Sequence, residues 1–100
     1  MKSGYSIDWT VEALNNLEGI IGYLTNRWTD REISNFYKLL DKRLEIISKS
    51  PHTFPDSELK TNVKRSVLSK QTTVYFEVKT DKIVILSLFD NRKNPESLKI

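Results

Sequence analysis

The apolar residues of this chain begin at a spacing of two. Tyr5, Ile7 and Trp9 alternate with Ser6 and Asp8, the period of a strand with one buried face. From Val11 the interval lengthens. Val11, Leu14, Leu17, Ile20, Ile21, Leu24 and Trp28 recur at three- and four-residue steps, which predicts an amphipathic helix to about Arg27 with Thr10 as its N-cap. Thr29-Asp30-Arg31-Glu32 has the form of a capping box and opens a second helix. Ile33, Phe36, Tyr37, Leu40, Leu44 and Ile47 hold helical spacing until Ser50-Pro51 stops the run. So short a link between the helices requires an antiparallel hairpin.

After the loop Pro51–Asn62, with Phe54 as its apolar anchor, the period returns to two. Val63, Arg65 and Val67 share one strand face and Lys64, Ser66 and Leu68 the other, with a turn near Ser69-Lys70-Gln71. Val74, Phe76 and Val78 then alternate with Thr73, Tyr75 and Glu77. Beyond Thr80-Asp81, the run Ile83–Phe89 is nearly all apolar, which places this strand in the sheet interior beside the third. The order predicts an α+β fold of two layers, β-α-α-β-β-β. It consists of an N-terminal strand, an antiparallel helical hairpin and a three-strand antiparallel meander. Residues 1–100 form a single domain.

Tyr5, Trp9, Phe36 and Phe76 lie on predicted core faces. Trp28 and Tyr37, near the hairpin tip and flank, are candidates for a protein interface. Gly19 and Gly22 each cost a helix about 1 kcal/mol relative to alanine. The reading of first choice is that they admit another backbone at close range; the second is a helix kept loose until a partner docks.

Composition narrows the chemistry. The chain has no cysteine and one histidine, His52, so neither a disulfide framework nor the usual zinc-ligand sets are available, and no metal or other cofactor is expected. Neither a signal-peptide core nor a membrane-length apolar run is present, so the expectation is a cytoplasmic protein without membrane contact. Of the net charge of +3, residues 1–30 hold −2 and residues 31–100 hold +5, which concentrates positive charge on the strand half. Metal-free RNA cleavage needs a proton acceptor, a proton donor and cations at the phosphate. Lys60, Lys64, Arg65 and Lys70, with Arg92 and Lys93, supply cations; Glu77, Tyr75, Asp90 and His52 are the acid–base candidates. Against these stand plainer roles: Arg65 paired with Glu77 or a helix carboxylate, and Arg92 and Lys93 simply solvated.

The element order resembles the RelE/ParE family of bacterial toxins from type II toxin–antitoxin pairs. The carriers are Ile7-Asp8-Trp9-Thr10-Val11-Glu12-Ala13, Ile20-Ile21-Gly22-Tyr23-Leu24 with Trp28, Ser50-Pro51, and Lys64-Arg65-Ser66-Val67. Val74-Tyr75-Phe76-Glu77-Val78 and Phe89-Asp90-Asn91-Arg92-Lys93-Asn94-Pro95-Glu96 complete the set. The resemblance implies a growth-inhibiting toxin neutralised by a cognate antitoxin whose flexible segment wraps it. ParE-like members inhibit DNA gyrase; RelE-like members cleave messenger RNA on the ribosome. RelE-like ribonucleases resemble one another in an arginine on the third strand and a tyrosine or histidine near the C-terminus. Thr73 and Leu98 stand there in this chain, so it is closer to the ParE-like members. On this reading Lys64, Arg65, Asp90, Asn91, Arg92 and Lys93 would meet the target, and Trp28 and Tyr37 the antitoxin. A ribonuclease would instead use Arg65, Arg92 and Glu77, and a third alternative is a decayed, non-toxic antitoxin-binding module.

Overall fold

A computed structural model describes residues 4–27, 29–58, 60–98 and 100. The elements are β1 (Ser6–Trp9), α1 (Val11–Arg27), α2 (Asp30–Lys49), β2 (Val63–Val67), β3 (Thr72–Val78) and β4 (Lys82–Asp90), with 3₁₀ turns at Pro51–Thr53 and Pro95–Ser97. None of the described helices is long and apolar enough to cross a membrane. The helical hairpin and the β2-β3-β4 antiparallel meander are as the period changes predict.

The sheet order is β1-β4-β3-β2, so β4 is interior, as its apolar run requires. β1 pairs with β4 in parallel, which makes the sheet mixed. The cause is topological: the hairpin returns the chain to the end where β1 began, and β2, β3 and β4 then run up, down and up.

One face of the sheet carries the helices. Ala13, Leu40, Ile47, Leu68, Val74, Phe76, Ile83, Ile85 and Leu88 form its buried core, with Tyr5, Trp9, Phe36 and Phe54 packed partly buried against it. Phe54 meets Phe76 edge-on at 5.7 Å between ring centres, which anchors the loop after α2. The opposite face holds a smaller cluster of Val63, Tyr75 and Phe89, overlaid by Leu86, Leu98 and Ile100.

Local polar contacts fix the layers. The Thr10 hydroxyl accepts from the Ala13 amide at 3.1 Å, which makes it the cap of α1, and donates to the carbonyls of Ile85 and Leu86 at 3.1 and 3.2 Å. Thr29 and Glu32 complete the capping box of α2. Arg43 Nη1 donates to Ser66 Oγ and the Val67 carbonyl, both at 2.7 Å, tying α2 to the end of β2.

The glycines correct an expectation. A Cβ built on Gly19 or Gly22 meets nothing within 4 Å among the described residues, so neither admits another described part of the chain at close range. Both lie on a stretch of α1 left open to its surroundings.

Candidate functional site

The hairpin and the sheet enclose a cleft of about 810 Å³. Ile20 and Tyr23 of α1, Phe36 and Leu39 of α2, and Leu88 and Phe89 of β4 give it apolar walls. Its edge carries charge of both signs, including Glu12 and Glu32 on the helices and Arg92 and Lys93 beyond β4.

β4 is irregular at the floor of the cleft. Tyr75 stands opposite Ser87 and Phe76 opposite Ile85, which leaves Leu86 as an extra residue in β4. Asn16 supplies an acceptor just beyond the point where the pairing of β4 with β1 ends. Its Oδ1 takes the Ser87 hydroxyl at 2.9 Å and the Leu88 amide at 3.1 Å, while its Nδ2 donates to Glu12 at 3.0 Å. No buried side-chain nitrogen or oxygen among the described residues lacks a partner.

At the mouth, Arg92 forks onto Asp90, with Nε to Oδ1 at 3.0 Å and Nη2 to Oδ2 at 2.9 Å. The Arg92 amide also donates to Asp90 Oδ1 at 2.9 Å, and the guanidinium carbon lies 5.8 Å from the centre of the Tyr23 ring. These bonds to Arg92 are the main reason that the Asp90 carboxyl sits below its usual range, with partial burial opposing them. Arg92 is correspondingly raised, first by Asp90 and then by Tyr23. The three groups join α1 to the segment after β4 across the cleft mouth.

Asn91 is exposed but tied to its neighbours by hydrogen bonds. Its amide donates to the Gln71 carbonyl at 2.8 Å, its Oδ1 accepts the Thr73 hydroxyl at 2.7 Å, and its Nδ2 reaches the Lys70 carbonyl at 3.3 Å. It knots the β2-β3 turn to the end of β4. Lys64 is similarly engaged, donating to Asp56 Oδ1 at 2.9 Å and to the Phe54 carbonyl at 3.2 Å. Lys93 remains exposed at the rim.

Arg65 is on the face away from the helices, half-buried and opposite Tyr75. Its guanidinium makes no hydrogen bond or ion pair among the described residues, and Glu77 is 3.7 Å from Lys79 instead. The suggested Arg65–Glu77 pair is therefore not formed, because Lys79 shares a strand face with Glu77 and lies nearer in sequence. Arg65 and Asp90 are three residues apart along β3, roughly 10 Å by strand rise, and on opposite sides of that strand. Tyr37 is exposed and touches Phe36 edge-on at 6.5 Å, while Trp28 lies outside the described residues. His52, Lys64 and Glu77 line a separate hollow of about 320 Å³. No group of acidic, histidine or cysteine side chains among the described residues is placed to hold a metal ion.

Sequence reading gave Glu12, Asn16 and Tyr23 no place in a site. Their signal was a spacing: positions 12, 16, 19 and 23 fall on one helical stripe that mixes polar residues with a glycine. Arg43 gave no such signal, because it is one of several charged residues spread along α2.

No protein-family model and no curated protein sequence matches the chain. Solved structures do. A chain of the chromosomal ParDE TA system from Pseudomonas aeruginosa is similar with a TM-score of 0.72 at 18% identity, over 86% of this chain and 95% of that one. The solution structure of the conserved hypothetical protein HP0894 from Helicobacter pylori gives 0.60 at 12% identity, over 89% and 97%. A chain of the Escherichia coli DinJ-YafQ complex gives 0.53 at 4% identity, over 88% and 94%. The shared property is the fold, the one that the resemblance to RelE/ParE toxins implied.

Proposed function

We propose that this protein is the toxin of a type II toxin–antitoxin pair, and that it inhibits an essential protein target such as DNA gyrase and is neutralised by a cognate antitoxin. The observation that carries the reading is the cleft between hairpin and sheet, whose apolar walls and charged mouth suit a segment of a protein partner. The similar folds include chains from a ParDE TA system and from the DinJ-YafQ complex, which supports a partner of the antitoxin kind. Of the proposed target-binding residues, Lys93 at the rim and Arg65 on the far face are the cations without an ion pair among the described residues, with Lys64, Asp90, Asn91 and Arg92 holding the surrounding backbone in shape. Tyr37 and Trp28 are the proposed aromatic contacts of the antitoxin.

A ribosome-dependent ribonuclease is the second reading. What favours it is that His52, Lys64 and Glu77 line one hollow, which brings an acid–base pair and a cation together. Against it, the arginines of the expected set, Arg65 and Arg92, do not line that hollow. The third reading, a binding module without toxicity, predicts the antitoxin complex alone.

Induction of the chain alone tests all three. Arrested growth with inhibited gyrase supercoiling and intact transcripts supports the first. Transcript cleavage in a translating extract, lost in Arg65→Ala and Glu77→Gln, supports the second. Complex formation without effect on growth supports the third, and the absence of both growth arrest and a complex refutes the assignment.

A further inference from the structure

The two edges of the sheet are unlike. Along β2 the outward backbone is occupied: the Ser57 amide donates to the Val63 carbonyl at 2.6 Å, the Arg65 amide to the Pro55 carbonyl at 3.0 Å, and Arg43 to the Val67 carbonyl at 2.7 Å. A loop and a guanidinium thus cover that edge, the ordinary protection against unwanted strand pairing. The edge at β1 has no equivalent cover among the described residues.

On β1 the inward set is known from its register. The Thr10 amide reaches the Ile85 carbonyl at 3.1 Å, and with Ile7 opposite Ile83 and Trp9 opposite Ile85 the parallel ladder turns Asp8 inward as well. The backbone groups of Ile7 and Trp9 therefore point away from the sheet, and neither amide makes a hydrogen bond among the described residues. Tyr5 ends the open row, since its amide donates to the Ser48 carbonyl at 2.9 Å and its carbonyl accepts the Ser48 hydroxyl. Ile7 and Trp9 expose two donors and two acceptors in line.

We infer that the Ile7–Trp9 edge is a docking edge for an extended segment of a partner protein, which adds antiparallel as a fifth strand. The partner residues opposite Ile7 and Trp9 are apolar, because those side chains turn toward the helix layer and its core. The residue opposite Asp8 is cationic, because Asp8 lies on the other face, 56% exposed and 3.2 Å from Lys82. A second copy of this chain does not fit. The antiparallel register that satisfies both Ile7 and Trp9 sets Asp8 directly against Asp8 of the other copy, and like charges so placed are destabilising. This inference rests on backbone geometry and stands whether or not the partner is an antitoxin.

The test uses the isotope-labelled full chain and the capped peptide Thr-Val-Lys-Val-Thr, with a lysine-to-aspartate version as control. In the free chain, the amides of Ile7 and Trp9 should exchange with solvent at least about tenfold faster than that of Asp8. Added peptide should shift and protect Ile7 and Trp9 while leaving Val63–Val67 unmoved, and the aspartate peptide should bind about threefold more weakly. Slow exchange at Ile7 and Trp9 in the free chain would overturn the inference. So would a lysine peptide without effect at millimolar concentration, equal binding of both peptides, a response at β2 instead, or a dimer joined through β1.

Discussion

Asn16 accepts from two groups of β4 beyond the end of its pairing with β1, the Ser87 hydroxyl and the Leu88 amide. Ser87 and Leu88 are almost fully buried, so Asn16→Ala should destabilise the fold by about 1–3 kcal/mol, measured by denaturant unfolding. A loss of under half a kcal/mol would mean that water takes the place of the amide. Asp90 governs a different contact. Its carboxyl titrates below the ordinary value of 3.8 in the folded chain, mainly through its bonds to Arg92. A lowered carboxylate stabilises above the unfolded value, and that contribution is lost as pH falls through the folded value. The Asp90–Arg92–Tyr23 closure should therefore persist at neutral pH and open only below pH 3.8, followed through the Asp90 carboxyl and Arg92 Nε–H signals. An Asp90 midpoint above 3.8 would contradict it. At this scale the chain was half legible: Arg92 and Asp90 stood out by type, but their mutual pairing follows from a turn after β4 that no residue pattern announces.

At the scale of elements, α1 holds the clearest contradiction of helix-forming preference. Gly19 and Gly22 reduce helix stability with no packing return inside the chain, since a Cβ at either meets open space. Gly19→Ala and Gly22→Ala should each raise stability by about 0.5–1 kcal/mol in thermal or denaturant unfolding. Gly19 lines the cleft and Gly22 does not. If the cleft takes an antitoxin segment, Gly19→Ala should weaken that complex while stabilising the free chain, and Gly22→Ala should leave affinity unchanged. Equal effects on binding would separate Gly19 from the docking surface. Both helices, their caps and the three later strands were readable from period alone, because each buries one face and periodicity records burial. The extra residue in β4 was not, since a run of apolar residues reads the same with or without a bulge.

For the molecule as a whole, the relevant quantities are a small core and uneven charge. A core built from 100 residues gives limited stability of its own, so a partner that binds only the folded state should raise its melting temperature as partner concentration rises. The positive balance of residues 31–100 adds a salt dependence: an acidic partner segment should bind more weakly between roughly 0.05 and 0.5 M salt, because exposed charges are screened over shorter distances. Calorimetry of the complex across that range checks both; affinity independent of salt would assign recognition to the apolar cleft walls alone.

The sequence by itself determined the elements, their order, the two-layer arrangement and the interior place of β4. These follow from where apolar side chains recur, and burial of a continuous face leaves few ways to assemble them. Only the tertiary structure decided the parallel pairing of β1 with β4, the cleft between hairpin and sheet, the closure of Arg92 on Asp90 and the contrast between a covered and an open sheet edge. The strand pairing, the cleft and the two edges depend on segments distant in sequence, and the Asp90–Arg92 fork on a local turn after β4; the path of the backbone sets all of them and leaves no periodic trace in the residues themselves.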